Sequence, residues 1–165
     1  LSLENSDLMI ENGVWISLSS SLVEFFQSSL LIKEGGQFTI TDNAKLIQDQ
    51  STIEVFGSVL LEGASVDTSS SSIIVNNGTL SFARSGISNI VNSDVLLVGE
   101  GNILMKDNSF SQFTNSNVQI SNGTLELSGQ AVSKIQGNSN LGVSSSIICT
   151  GFSKLEIDNS VAVVK

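Results

Sequence analysis

Apolar side chains alternate with polar ones in short runs along this chain, and Ser, Asn and Gly separate the runs. In NSNVQISNGTLELSG, Asn115 to Gly129, Val118 and Ile120 alternate before Asn122-Gly123, and Leu125 and Leu127 alternate after it. A period of two predicts a strand with one buried face. Taken alone, Asn-Gly between two such runs predicts a hairpin. The wider pattern points elsewhere. Val14 (just after Gly13), Gly36, Gly57, Gly78, Gly101, Gly123 and Ser145 form a column with steps of 21 to 23 residues. Two residues beyond it lie Ile16, Phe38, Val59, Leu80, Ile103, Leu125 and Ile147; four beyond lie Leu18, Ile40, Leu61, Phe82, Met105, Leu127 and Cys149. Each column member is preceded by another alternating pair, from Leu8/Ile10, Leu30/Ile32 and Ile53/Val55 to Ile73/Val75, Val95/Leu97, Val118/Ile120 and Leu141/Val143. A third, looser side reads Val23/Phe25, Ala44/Leu46, Ala64/Val66, Ile87/Ile90, Phe110/Phe113, Val132/Ile135 and Leu155/Ile157.

A repeat of about 22 residues with three period-two segments is one coil of a parallel β-helix, with each coil stacked on the last at ~4.8 Å. The reading is therefore all-β: a right-handed solenoid of about seven coils, three short strands per coil, in a rod on the order of 30 Å long. A left-handed hexapeptide helix ranks second. Leucine-rich repeats do not fit, because no LxxLxLxxN frame recurs. In this frame Asn122-Gly123 is a corner between two stacking strands, and Gly123 is expected to supply a positive φ. Residues 1–165 read as one solenoid segment, expected to be part of a longer solenoid.

Composition narrows the function more than the fold. The chain has 165 residues, 40% of them hydrophobic and 5% aromatic, with no Tyr, His or Pro. The net charge of -9 argues against nucleic acid, which needs a basic surface, and against docking on anionic lipid. Its apolar runs are too short to insert in a membrane as a helix. The single cysteine, Cys149, follows Ile147 and Ile148 and reads as a small buried hydrophobe.

The segments NSDLMIENGVWISL, SSIIVNNGTLSF, NSDVLLVGEGNILM and NSNVQISNGTLEL resemble pectin-lyase-like right-handed parallel β-helix repeats. They are similar to the Ser/Asn/Gly-rich kind found in autotransporter passengers, filamentous adhesins and large surface proteins. The resemblance covers the whole chain. It implies an extracellular or cell-surface structural, fibre or adhesion protein, with partners among other copies or other segments of the same protein, or glycans. It specifies architecture far better than activity, because one fold hosts unrelated functions.

The candidate chemistry is sparse. Asp7 and Asp94 share an NSD context but lie four coils apart, roughly 19 Å at the strand spacing. Asp42 and Asp107 share a turn position three coils apart. Without His there is no imidazole base or ligand, and the glycosidase motifs of the resembled family (NTD, a DD pair, GHG, RIK) are absent. Glu11 and Glu34, one coil apart with Glu100 near the same turn, offer too few oxygens for calcium. The expectation is therefore no enzyme, no cofactor and no metal. Lys45 between Glu24 and Asp67, Arg84 between Glu62 and Lys106, and Lys134 one coil before Glu156 read as charges matched across coils. Two features remain. Met9, Leu31, Ile74 and Leu96 fall on the outward side of one strand, interrupted by Glu54, Gln119 and Gly142, and form a candidate packing face. Asn77-Gly78-Thr79 and Asn122-Gly123-Thr124 are glycosylation sequons on one turn edge. The leading reading is a non-catalytic spacer or fibre module. The alternatives are an adhesive or carbohydrate-binding β-helix, and a non-catalytic part of a polysaccharide-active enzyme.

Overall fold

A computed structural model describes residues 1–17 and 20–164, and over them the chain is a right-handed β-solenoid of about seven coils. The first coil comprises β1 (Ser2–Glu4), β2 (Asp7–Ile10) and β3 (Val14–Ser17); β4 (Leu22–Phe26), β5 (Ser29–Ile32) and β6 (Gln37–Thr41) stack on them. The cycle continues to β22 (Lys154–Asp158) and β23 (Val161–Val164), with no helix among the described residues. Each strand pairs in parallel with the strand three places later, which gives sheets of eight, eight and seven strands. We call these sheets A, B and C, beginning at β1, β2 and β3.

The alternation sets which side chains enter the rod. In sheet B, Leu30, Ile53, Ile73, Val95, Val118 and Leu141 stack in register, with Ile32, Val55, Val75, Leu97, Ile120 and Val143 beside them, all buried. Sheet C contributes Phe38, Val59, Leu80, Ile103 and Leu125. Burying each such side chain is worth about 1.5–3 kcal/mol before the entropy of ordering the chain is counted. The result is one unbroken apolar core.

Two of the corners use different chemistry. Between sheets B and C stand Gly36, Gly57, Gly78, Gly101 and Gly123, and none of them has a positive φ. The expectation for Gly123 is therefore corrected. It is glycine because coils touch there: a Cβ would lie 2.0 Å from the Gly101 carbonyl oxygen. Asn122-Gly123 is no hairpin, since the strands on either side of it, Asn117–Ile120 and Thr124–Leu127, belong to sheets B and C.

Between sheets A and B runs a column of serines: Ser6, Ser28, Ser51, Ser71, Ser93, Ser116, Ser139 and Ser160, at steps of 20 to 23 residues. The Ser28 N–H donates to Ser51 Oγ at 3.0 Å, Ser51 to Ser71 Oγ at 3.0 Å, and Ser71 to Ser93 Oγ at 3.1 Å. Ser93 and Ser116 continue the chain at 3.3 and 3.0 Å. Each hydroxyl in turn donates to a carbonyl two or three residues back, such as Ser93 Oγ to Val91 O at 2.7 Å. Directly before seven of these serines sits a left-handed residue: Asn5, Gln27, Gln50, Ser70, Asn92, Asn115 and Asn159, with φ between 48 and 50°. Asn and, to a lesser degree, other small polar residues tolerate this conformation.

Three sequence expectations are corrected, two of them by a one-residue shift. In the first coil Trp15, not Ile16, registers with the inward Phe38, and the ring centroids are 6.3 Å apart. Val14 and Ile16 therefore face solvent; Leu18 lies outside the described residues. In sheet A, Ile87, Phe110 and Val132 point outward, while Ser88, Ser111 and Ser133 are buried beside Ile90, Phe113 and Ile135. The pairs predicted inward are three residues apart, and a strand cannot place both members on one face. Cys149 aligns with inward Leu127, yet it is exposed because its strand, Ser146–Cys149, is the outermost of sheet C.

Candidate packing face and modification sites

Strand register puts the four predicted packing residues in one outward column of sheet B. The column runs Met9, Leu31, Glu54, Ile74, Leu96, Gln119, Gly142, Val163. Met9 and Val163 are exposed, and Leu31, Ile74 and Leu96 are half-buried. The stripe is thus two apolar pairs, Met9/Leu31 and Ile74/Leu96, separated by Glu54. Two hollows flank it. An apolar cleft of about 390 Å³ lies beside Leu31, lined by Lys33, Glu34 and Phe56. At Gly142 the missing side chain leaves a notch of about 230 Å³, bordered by Gln119, Ser121, Ser144 and Val163. The sequence pattern marked Gly142 only as an interruption; the register reveals it as a hole in the face.

The charges across this face are acidic. Asp7 and Asp94 occupy the outward position at the start of their strands, and Glu54 the middle one. Asp7 and Asp94 stand four strands apart, as the coil count requires. Glu11 is paired with Lys33. No group of three or more His, Cys, Asp or Glu stands together as a metal site among the described residues.

Sheet A and its corner with sheet C carry the other ion pairs. Lys45 meets Asp67 at 2.6 Å and Arg84 meets Glu62 at 2.7 Å. Glu156 registers with Lys134, but its ion pair is with Lys154 at 2.6 Å. That contact, with the Lys154 charge, holds the Glu156 carboxyl below its ordinary range. Burial opposes ionisation of Asp67, but hydrogen bonds from Lys45 and Asn89 and the Lys45 charge together outweigh it, so its carboxyl too sits low.

The two sequons differ in geometry. Asn77 is left-handed at φ 57°, and its Oδ1 accepts the Glu100 N–H at 2.8 Å. Its side chain therefore caps the turn of the next coil. Asn122 is exposed.

One polar feature was missed in the sequence columns. At the A/B corner Asn92, Asn115 and Asn138 form one wall of a groove of about 220 Å³, and Asp94, Asn117 and Asn140 form the other. The recurring Asn-Ser dipeptides at 92, 115 and 138 were the signal. Set beside protein families, curated proteins and solved structures, the chain matches none.

Proposed function

We propose that this chain is a non-catalytic rod module, a rigid spacer or fibre element of an extracellular or cell-surface protein, that also packs laterally through sheet B. The observation that carries this reading is the unbroken apolar core running through every stacked coil. Each coil is held by backbone ladders to the coil on either side, and a solenoid so built resists bending. The interrupted apolar stripe of sheet B supports lateral contact, since such patches mark interaction surfaces. The acidic surface supports a role away from nucleic acid and anionic lipid. The resemblance to surface β-helix repeats supports the location, and in a eukaryotic secretory pathway Asn122 is the better placed of the two sequons to carry a glycan, because the Asn77 amide is engaged in capping the next coil.

The groove walled by asparagines favours one second reading, an adhesive module that binds glycan hydroxyls through side-chain amides. A single experiment separates the readings. The chain is incubated with a panel of polysaccharides, then assayed for new reducing ends and for retardation in polysaccharide-containing gels. The spacer reading expects neither. Release of reducing ends overturns it in favour of an enzyme. Retardation that disappears in Asn115→Ala overturns it in favour of the adhesin.

A further inference from the structure

We propose that sheet B packs face to face against sheet B of a second copy of this chain, with the two rods antiparallel and the two-fold axis passing between the levels of Ile74 and Leu96. The inference rests on the lateral-packing reading above and commits it to one partner and one register. A two-fold axis along the strand direction, placed midway in the outward column, turns the column end for end onto itself. Ile74 then meets Leu96 of the other copy. Leu31 meets Gly142, and the side chain fills the notch that the glycine leaves. Glu54 meets Gln119, whose amide N–H can donate to the carboxylate. In the neighbouring column, which starts each strand, Asp94 meets Ser72 and Asp7 meets Val161. No carboxylate of the face is set against another.

The competing arrangement has parallel rods, with the two-fold axis along the rod. It stacks each level of the central column on itself. Glu54 then faces Glu54 in a partly desolvated contact, Leu31 abuts Leu31, and the notch at Gly142 faces another notch. Like charges directly opposed are destabilising, and a void forfeits the contacts of its lining. Both the charge pattern and the shape of the column favour the antiparallel pair. An isologous contact of this kind needs one patch to be its own complement, which this column is.

The size of the face sets the strength. Eight strands at ~4.8 Å spacing and four residues at ~3.3 Å each give a patch of about 450 Å² per copy, or about 900 Å² in all. That is below the roughly 1,600 Å² of a standard interface, so the pair is weak and concentration-dependent. The three acids on each face and the net charge of -9 oppose approach, and added salt screens that repulsion. Pairing should therefore strengthen as salt rises.

The test uses the full chain with Cys149→Ser, so that only introduced thiols react. Leu31→Cys and Gly142→Cys are made as separate variants and joined with a short bismaleimide, because facing sheets stand about 10 Å apart, beyond the reach of a disulfide. Circular dichroism confirms that each is folded; at Gly142 a Cβ would meet nothing nearer than Gln119 Cγ at 3.9 Å. The expected product is a cross-linked dimer from the mixture of the two variants and from neither alone. Dimer from Leu31→Cys alone overturns the antiparallel register while leaving lateral packing in place. No cross-link in any mixture, together with a wild-type chain that sediments as a monomer at the highest attainable concentration and salt, overturns both. Gly142→Leu, which plugs the notch, should raise the dissociation constant by about tenfold or more; an unchanged constant overturns the proposal.

Discussion

Adding one methyl group at Gly123 would set a carbon 2.0 Å from the Gly101 carbonyl oxygen, and backbone there has no slack. At Gly142 the nearest atom to the same methyl would be 3.9 Å away, on a flexible side chain. Gly123→Ala should therefore cost about 2–3 kcal/mol or more, while Gly142→Ala should stay within about 0.5 kcal/mol. Urea denaturation midpoints of the two variants check this. The position of Gly123 was legible from the recurrence of glycine in the sequence, but its reason was not. A column of glycines signals either positive φ or close approach, and only the folded backbone distinguishes them. Trp15 shows the same limit. Val14, Trp15 and Ile16 are all apolar, so alternation could not choose the inward face of that strand, and pairing with Phe38 chose it.

At the level of strands and corners, sheet A is where hydrophobic spacing misleads and polar repetition informs. Ile90, Phe113 and Ile135 hold the inward places, which turns Ile87, Phe110 and Val132 outward and buries Ser88, Ser111 and Ser133. Ser111 Oγ lies 3.3 Å from Ser133 Oγ and 3.3 Å from Met105 Sδ. Serine separates the apolar runs elsewhere in the chain, so composition does not reveal this inner wall. The serine corner makes a sharper prediction. Ser93→Ala removes the hydroxyl that accepts from the buried Ser71 N–H, whereas Val91 O keeps the Ser70 N–H at 3.1 Å. The cost should be that of one orphaned buried donor, about 1–3 kcal/mol, read from denaturant unfolding. The cross-strand pair on the outside of sheet A makes a pH prediction. The folded pKa of Asp67 lies below its unfolded value, so its ionisation contributes stability above about pH 4, and that contribution is lost as pH falls through the folded pKa. Asp67→Asn should thus melt below wild type at neutral pH, and the gap should close under acid conditions. Thermal melts across the pH range measure it. Because both partners are well exposed, the gap will be modest.

Across the whole molecule the sequence was most informative where one signal was repeated many times. The seven-fold recurrence of paired apolar positions yielded the parallel solenoid, the three sheets and most of the core, since an error in one coil is outvoted by the others. The candidate face fared differently. Its members could be read from the sequence as outward residues, but their value as a surface depends on what sits across from each at the same height, and that is a property of register. The serine corner has a consequence in time as well as in space. The amides of Ser28, Ser51, Ser71, Ser93 and Ser116 each donate to the hydroxyl of the following coil, and the left-handed amides before them, such as Gln27 to Asp49 O at 3.1 Å, reach in the same sense. A ribosome makes the donor first and its acceptor some twenty residues later. During synthesis each turn of the rod thus remains open at that edge until its successor emerges, and the arriving segment both copies the template and locks it.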